Sequence, residues 1–152
     1  KMLREEIKLH LNGALKSKEK KSISTLRLVL AAIKDRDIAA RSKGNNIGIS
    51  EDEIKLLLQT MIKQRQESSQ IYKQAGRTEL YESEQEEIKI ISNFLPKQMN
   101  EDEIAKAIET VINEIDSKSI KDMGKIMSKL KEKYAGRCDF SLVSKIAREK
   151  LT

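Results

Sequence analysis

Ser119-Ile120-Lys121-Asp122-Met123-Gly124-Lys125-Ile126-Met127, running on to Tyr134-Ala135-Gly136-Arg137, is the stretch whose reading decides the fold. Met123, Ile126, Met127, Leu130 and Tyr134 recur at the three-to-four-residue spacing of a buried helical stripe. Lys121, Lys125, Lys129 and Lys133 follow one another every four residues on other parts of the same surface. The spacing predicts one short helix with an apolar side and a basic ridge. Ser119 and Asp122 supply a cap and an acid for its start. Gly124 stands inside that helix, where it should cost about 0.5–1 kcal/mol relative to Ala. Close approach of another helix, or of a ligand backbone, is the expected compensation.

Working outward, every other stretch shows the same periodicity. Leu3, Ile7, Leu11, Ala14 and Leu15 predict a first helix over 2–17. Leu26, Val29, Leu30, Ile33, Asp37 and Ala40 predict a second over 22–43, with Arg27, Lys34, Arg36 and Arg41 on its other side. Residues 43–48 read as a loop. Ser50-Glu51-Asp52-Glu53 is a capping box opening a third helix, which should stop at Gly76. Thr78 is the expected cap of a fourth, ended by Pro96. Asn100-Glu101-Asp102-Glu103 opens a fifth, and Asp139 caps a seventh carrying Leu142, Val143, Ile146, Ala147 and Leu151. No sheet is needed. The expected fold is all-α, with a four-helix bundle-like N-terminal domain over 1–95 and a three-helix tail domain over 96–152.

Composition supports folded helix over disorder. The 152 residues are 38% hydrophobic, 36% charged and only 3% aromatic. No run approaches the roughly 18 apolar residues of a membrane span, and no apolar leader opens the chain, so no membrane partner is expected. Lys1, where an initiator Met would stand, points to a processed start. One cysteine excludes an internal disulfide and fits a reducing cytoplasm. The net charge of +6 is unevenly laid out. Residues 1–49 carry 12 Lys/Arg against 5 Asp/Glu, residues 50–116 carry 8 against 15, and residues 117–152 carry 10 against 4. Two basic ends flank an acidic middle, which fits either simple solvation or a polyanion-binding surface.

No catalytic constellation assembles from these residues. His10 is the sole histidine and reads as a surface or packing residue. Cys138 lies beside Arg137, which could lower its pKa, but a lone thiol without a resolving partner is usually incidental. Glu82, Glu84, Glu86 and Glu87 form a solvated helical face rather than a metal site. Gly44 and Gly48 lack the Lys-Ser/Thr of a phosphate loop. No catalytic residue, no metal and no cofactor is therefore expected.

The lysine ridge is the exception to this bland picture. Like charges four residues apart repel mildly, and a chain without use for them would interleave acids. RNA is the partner such a ridge suits. With two Phe, three Tyr and no Trp there is no platform for stacking splayed bases, so recognition would go through phosphates and shape. Backbone N–H groups near Ser119–Lys121 and the helix dipole would add to the charge of Lys121 and Lys125.

The run from Lys121 to Met127, with Gly136-Arg137 and Asp139, resembles the signature of the GatB/YqeY family. The likeness continues through Phe94-Leu95-Pro96-Lys97-Gln98-Met99, Tyr72-Lys73-Gln74-Ala75-Gly76-Arg77 and Ser24-Thr25-Leu26-Arg27-Leu28-Val29, so it covers nearly the whole chain. It departs at Cys138 and Phe140, where a small residue and a glycine are expected around the Asp. The resemblance implies the helical and tail regions of the tRNA-dependent amidotransferase B subunit, whose tail contacts the outer corner of tRNA. It also implies a family label of carbon–nitrogen ligase with glutamine as amide donor, although the catalytic portion lies outside the likeness. The expected role is a non-catalytic tRNA-binding or accessory module, with tRNA or another structured RNA as partner and a tRNA-modifying or aminoacylation enzyme beside it. The expected contact set is Lys121, Gly124, Lys125 and Arg137, supported by Lys129, Lys145 and Arg148. The alternative is a protein–protein adaptor without nucleic acid, recognisable by an exposed apolar patch around Leu28 and Ile38.

Overall fold

The computed structural model describes residues 2–116 and 119–152, and every regular element among them is helical. The helices are α1 (Leu3–Ser17), α2 (Lys20–Arg41), α3 (Glu51–Gln74), α4 (Thr78–Ser92), α5 (Glu101–Glu114), α6 (Met123–Tyr134) and α7 (Phe140–Leu151). A single 3-10 turn, Ile120–Asp122, precedes α6. The chain divides into two compact units between Leu95 and Pro96. Lys1, the expected processed start, lies outside the described residues.

In the first unit α1 packs on α2, and α4 packs on both α2 and α3. Its core joins Leu3 and Ile7 of α1, Leu26, Val29 and Ile33 of α2, Ile54, Leu57, Leu58 and Met61 of α3, and Ile91 with Phe94. These are largely the residues that helical spacing selects. Leu15, expected on the apolar stripe of the first helix, is instead exposed near the end of α1, and Leu80 is likewise exposed near the start of α4. The break between α1 and α2 is shorter than the polar run 17–21 implies. Lys18 adopts the left-handed conformation at φ 58°, and Glu19 N–H donates to the Ala14 carbonyl. A left-handed residue that is neither Gly nor Asn carries no sequence signal, so α2 begins two residues early.

The expected capping boxes form at Ser50/Glu53 and Asn100/Glu103. Thr78 does not cap α4: it is the first helical residue, and Arg77 before it makes no side-chain cap bond. Gly76 follows α3 at φ 72°, and Arg77 N–H closes back on the Tyr72 carbonyl at 2.8 Å.

A polar lock ties the start of α1 to the end of α2 and the loop after it. Arg4 grips Asp37 through two hydrogen bonds of 2.6 Å, and also donates to the Ile49 carbonyl at 3.1 Å. Asp37 in turn accepts from Ile49 N–H at 2.8 Å. Gly48 sits against this pair at φ 108°, where an added Cβ would meet Arg4 and Asp37 at 2.9 Å. Any other residue there would strain the backbone and push the pair apart. The Arg4 hydrogen bonds, opposed by burial and helped by the Ile49 N–H, hold the Asp37 carboxyl down at about 2.

In the second unit α5, α6 and α7 pack pairwise around Ile104, Ala107, Ile108, Val111, Ile126, Leu130, Cys138, Val143 and Ala147. Cys138 is buried and Phe140 packs against the same core, so both departures from the family pattern fill the interior.

Candidate nucleic-acid interface

The apolar half of the α6 reading holds. Ile126 and Leu130 are buried, and Met123, Met127 and Tyr134 lie against the core around them. The start differs from the expected single helix. Ser119 Oγ accepts from Lys121 N–H at 3.2 Å, Asp122 N–H donates to the Ser119 carbonyl at 3.1 Å, and Met123 N–H donates to the Ile120 carbonyl. Those backbone donors are therefore engaged in forming the 3-10 turn. The anion-binding use expected of N–H groups near Ser119–Lys121 does not apply to the donors of Lys121, Asp122 and Met123.

The side chains remain. Lys121 in the turn and Lys125 in α6 are exposed, and no acid among the described residues stands within ion-pair distance of either. Gly124 between them is exposed and second in the helix rather than in its interior. A Cβ built on it meets nothing within 4 Å. Of the two expected compensations, close approach of another helix is not found among the described residues, and the space above Gly124 is open. Two further ridge lysines are partly neutralised, because Glu114 of α5 lies 3.9 Å from Lys129 and 3.3 Å from Lys133.

Arg137 occupies the other end of α6, beyond Tyr134. A helix of 12 residues is about 18 Å long, so Arg137 lies well along the axis from Lys121. Its Nε donates to the Lys97 carbonyl at 3.2 Å, and its guanidinium lies 5.8 Å from the Tyr134 ring. The same turn is fastened through Met99 N–H to the Arg137 carbonyl at 2.8 Å and Gln98 Nε2 to the Gly136 carbonyl at 2.7 Å. The motif residues Lys97-Gln98-Met99 and Gly136-Arg137, distant in sequence, are hydrogen-bonding partners. Lys145 and Arg148 are exposed one turn apart on α7, whereas Lys150 is held by Glu109 at 2.7 Å.

His10, Cys138 and Glu87 each have neighbours within the fold. His10 meets Phe94 edge-on at 4.9 Å, with Nδ1 2.8 Å from the Glu6 carbonyl. Burial pushes the Cys138 thiol up to about 11, outweighing the opposite pull of Arg137. Glu87 is not part of a merely solvated face: it pairs with Lys21 at 3.3 Å and Arg65 at 3.2 Å. No helix among the described residues is long and apolar enough to cross a membrane.

An all-helical chain whose two motif segments clamp one another, and whose α6 cations face solvent, defines the class. The chain matches the family of Yqey-like proteins over residues 4–151, and it belongs to that family, the GatB/YqeY type. Comparison with curated proteins finds no match.

Proposed function

We propose that this protein is a non-catalytic module that binds tRNA or another structured RNA, serving as an accessory to a tRNA-modifying or aminoacylation enzyme. The observation that carries the reading is the pair of exposed, unneutralised lysines, Lys121 and Lys125, flanking open space above Gly124. A phosphate strand can approach a glycine closely while the two ammonium groups release counterions from it. Lys145 and Arg148 add positive charge in the same unit, Lys129 adds less because Glu114 shares it, and Arg137 serves both the turn and the field. With no tryptophan in the chain, contact runs through backbone and shape rather than stacked bases. The family label of carbon–nitrogen ligase with glutamine as amide donor fits an accessory role, in which the partner enzyme supplies the transamidation chemistry. A reducing cytoplasm suits a buried, inert Cys138.

Filter binding of the full chain to tRNA at low salt tests this reading. Affinity that weakens in K121E/K125E, with a shallower salt dependence, is expected; no binding by the unmutated protein would end the proposal. The adaptor alternative draws on Leu28 and Ile38, 51% and 50% exposed on α2. It predicts that nuclease treatment leaves a captured partner protein in place.

A further inference from the structure

We infer that the outward side of α2 is a second RNA-backbone surface, separate from α6 and carried by the first unit alone. The inference extends the RNA reading but does not depend on Lys121 or Lys125. Lys20, Arg27, Lys34 and Arg41 stand seven residues apart along α2, and all four are exposed. Seven residues fall about 20° short of two full turns, so the four share one gently drifting side. At about 1.5 Å per residue the row is about 31 Å long, with cations about 10 Å apart.

The row lacks internal neutralisation. Around Arg27, the positions three and four residues away are Ile23, Ser24, Leu30 and Ala31. Around Lys34 they are Leu30, Ala31, Asp37 and Ile38, and Asp37 is already gripped by Arg4. No acid among the described residues pairs with Lys20, Arg27 or Lys34. Arg41 acts on Asp37 only through the longer-range field. The contrast within the helix is informative: Lys21, one residue from Lys20, turns to α4, where it pairs with Glu87 and donates to Ser83. Lys21 is satisfied inside the fold, whereas no acid among the described residues pairs with Lys20, Arg27 or Lys34.

A spacing of about 10 Å exceeds the Debye length of about 8 Å at physiological salt, so the row costs little self-repulsion. An extended polyanion can meet all four at once, with counterion release adding along the row. A compact acidic patch on a protein reaches only one or two of them. Leu28 and Ile38 offer two half-exposed side chains, too little apolar area to seat a helix in lipid. The α2 sequence contains no aromatic residue, so the surface reads backbone and not base identity.

The test uses the full chain and a double-stranded RNA of about three helical turns, titrated by filter binding between 50 and 200 mM salt. The variant K20Q/R27Q/K34Q/R41Q should bind at least tenfold more weakly at 50 mM, with a salt slope lower by about 3. K121E/K125E should retain the part of the slope that α2 supplies. Unchanged affinity and slope in the α2 variant, with an unchanged melting temperature, would overturn this inference while leaving the α6 reading intact. Weakening in the α2 variant alone would overturn the α6 reading and leave this one. Capture of a partner protein that survives nuclease treatment and is lost in L28S/I38S, with RNA affinity unchanged in the α2 charge variant, would assign the side to a protein partner. Binding to anionic phosphatidylserine vesicles but not to the RNA would assign it to lipid; either result overturns the inference.

Discussion

Two groups of charged residues in this chain have the same chemistry and opposite fates. At the head of the first unit Arg4 and Asp37 are half-buried and locked together at 2.6 Å, with the Ile49 backbone closing the ring. At the head of α6, Lys121 and Lys125 extend into water beside a glycine with nothing above it. The first group neutralises its charge internally and fixes a loop. The second is neutralised by no acid among the described residues. Pairing geometry, and not the number of charges, separates a structural set from a candidate binding set.

The largest expected effect comes from breaking the lock. Asp37→Ala removes two charge-assisted bonds and strands Arg4 and the Ile49 N–H, so stability should fall by about 2–3 kcal/mol, read by thermal or urea unfolding. The pH dependence follows from the depressed Asp37 carboxyl. Its contribution is present above the ordinary value of 3.8 and is lost as pH falls toward about 2, so wild-type stability should drop through that window and D37N should drop less. An unchanged acid limb in D37N would mean the lock does not fix the loop.

Reversing the exposed set should do the opposite. K121E/K125E should leave the melting temperature nearly unchanged but weaken tRNA binding on the order of tenfold, about 1.4 kcal/mol. A large loss of stability instead would place these lysines with the structural group. Gly124→Ala sharpens the point further. The site is open and lies in the first helical turn, so Ala should stabilise by about 0.4–1 kcal/mol. If a sugar-phosphate strand uses that space, the same change weakens RNA binding, giving two readouts of opposite sign. The smallest effect belongs to Glu114→Gln, which releases Lys129 and Lys133. Stability should move by less than about 0.5 kcal/mol, and RNA affinity should rise slightly.

Much of the helical content was legible because stripes such as Leu26, Val29 and Ile33 and the two capping boxes follow from local rules. What escaped depended on neighbours remote in sequence or on unsignalled backbone. Lys18 takes a left-handed turn without being a glycine, and the start of α6 tightens into a 3-10 turn that engages its own donors. The Arg4 lock was half visible: Asp37 sits on an apolar stripe, which calls for a buried partner, but its identity 33 residues away was not readable. At the candidate site the exposure of Lys121 and Lys125 was anticipated from spacing. The share taken by Glu114 and the clamp of Arg137 onto Lys97 required the fold, since each joins two elements.

The most direct test of the central claim is the salt dependence of tRNA binding by the full chain and by K121E/K125E, both shown to be folded. If the two lysines bind phosphates as proposed, reversing them should lower the slope by about 1.5, with wild-type protein binding clearly at 50 mM salt. Identical curves for the two proteins, or no binding by either, would contradict the account.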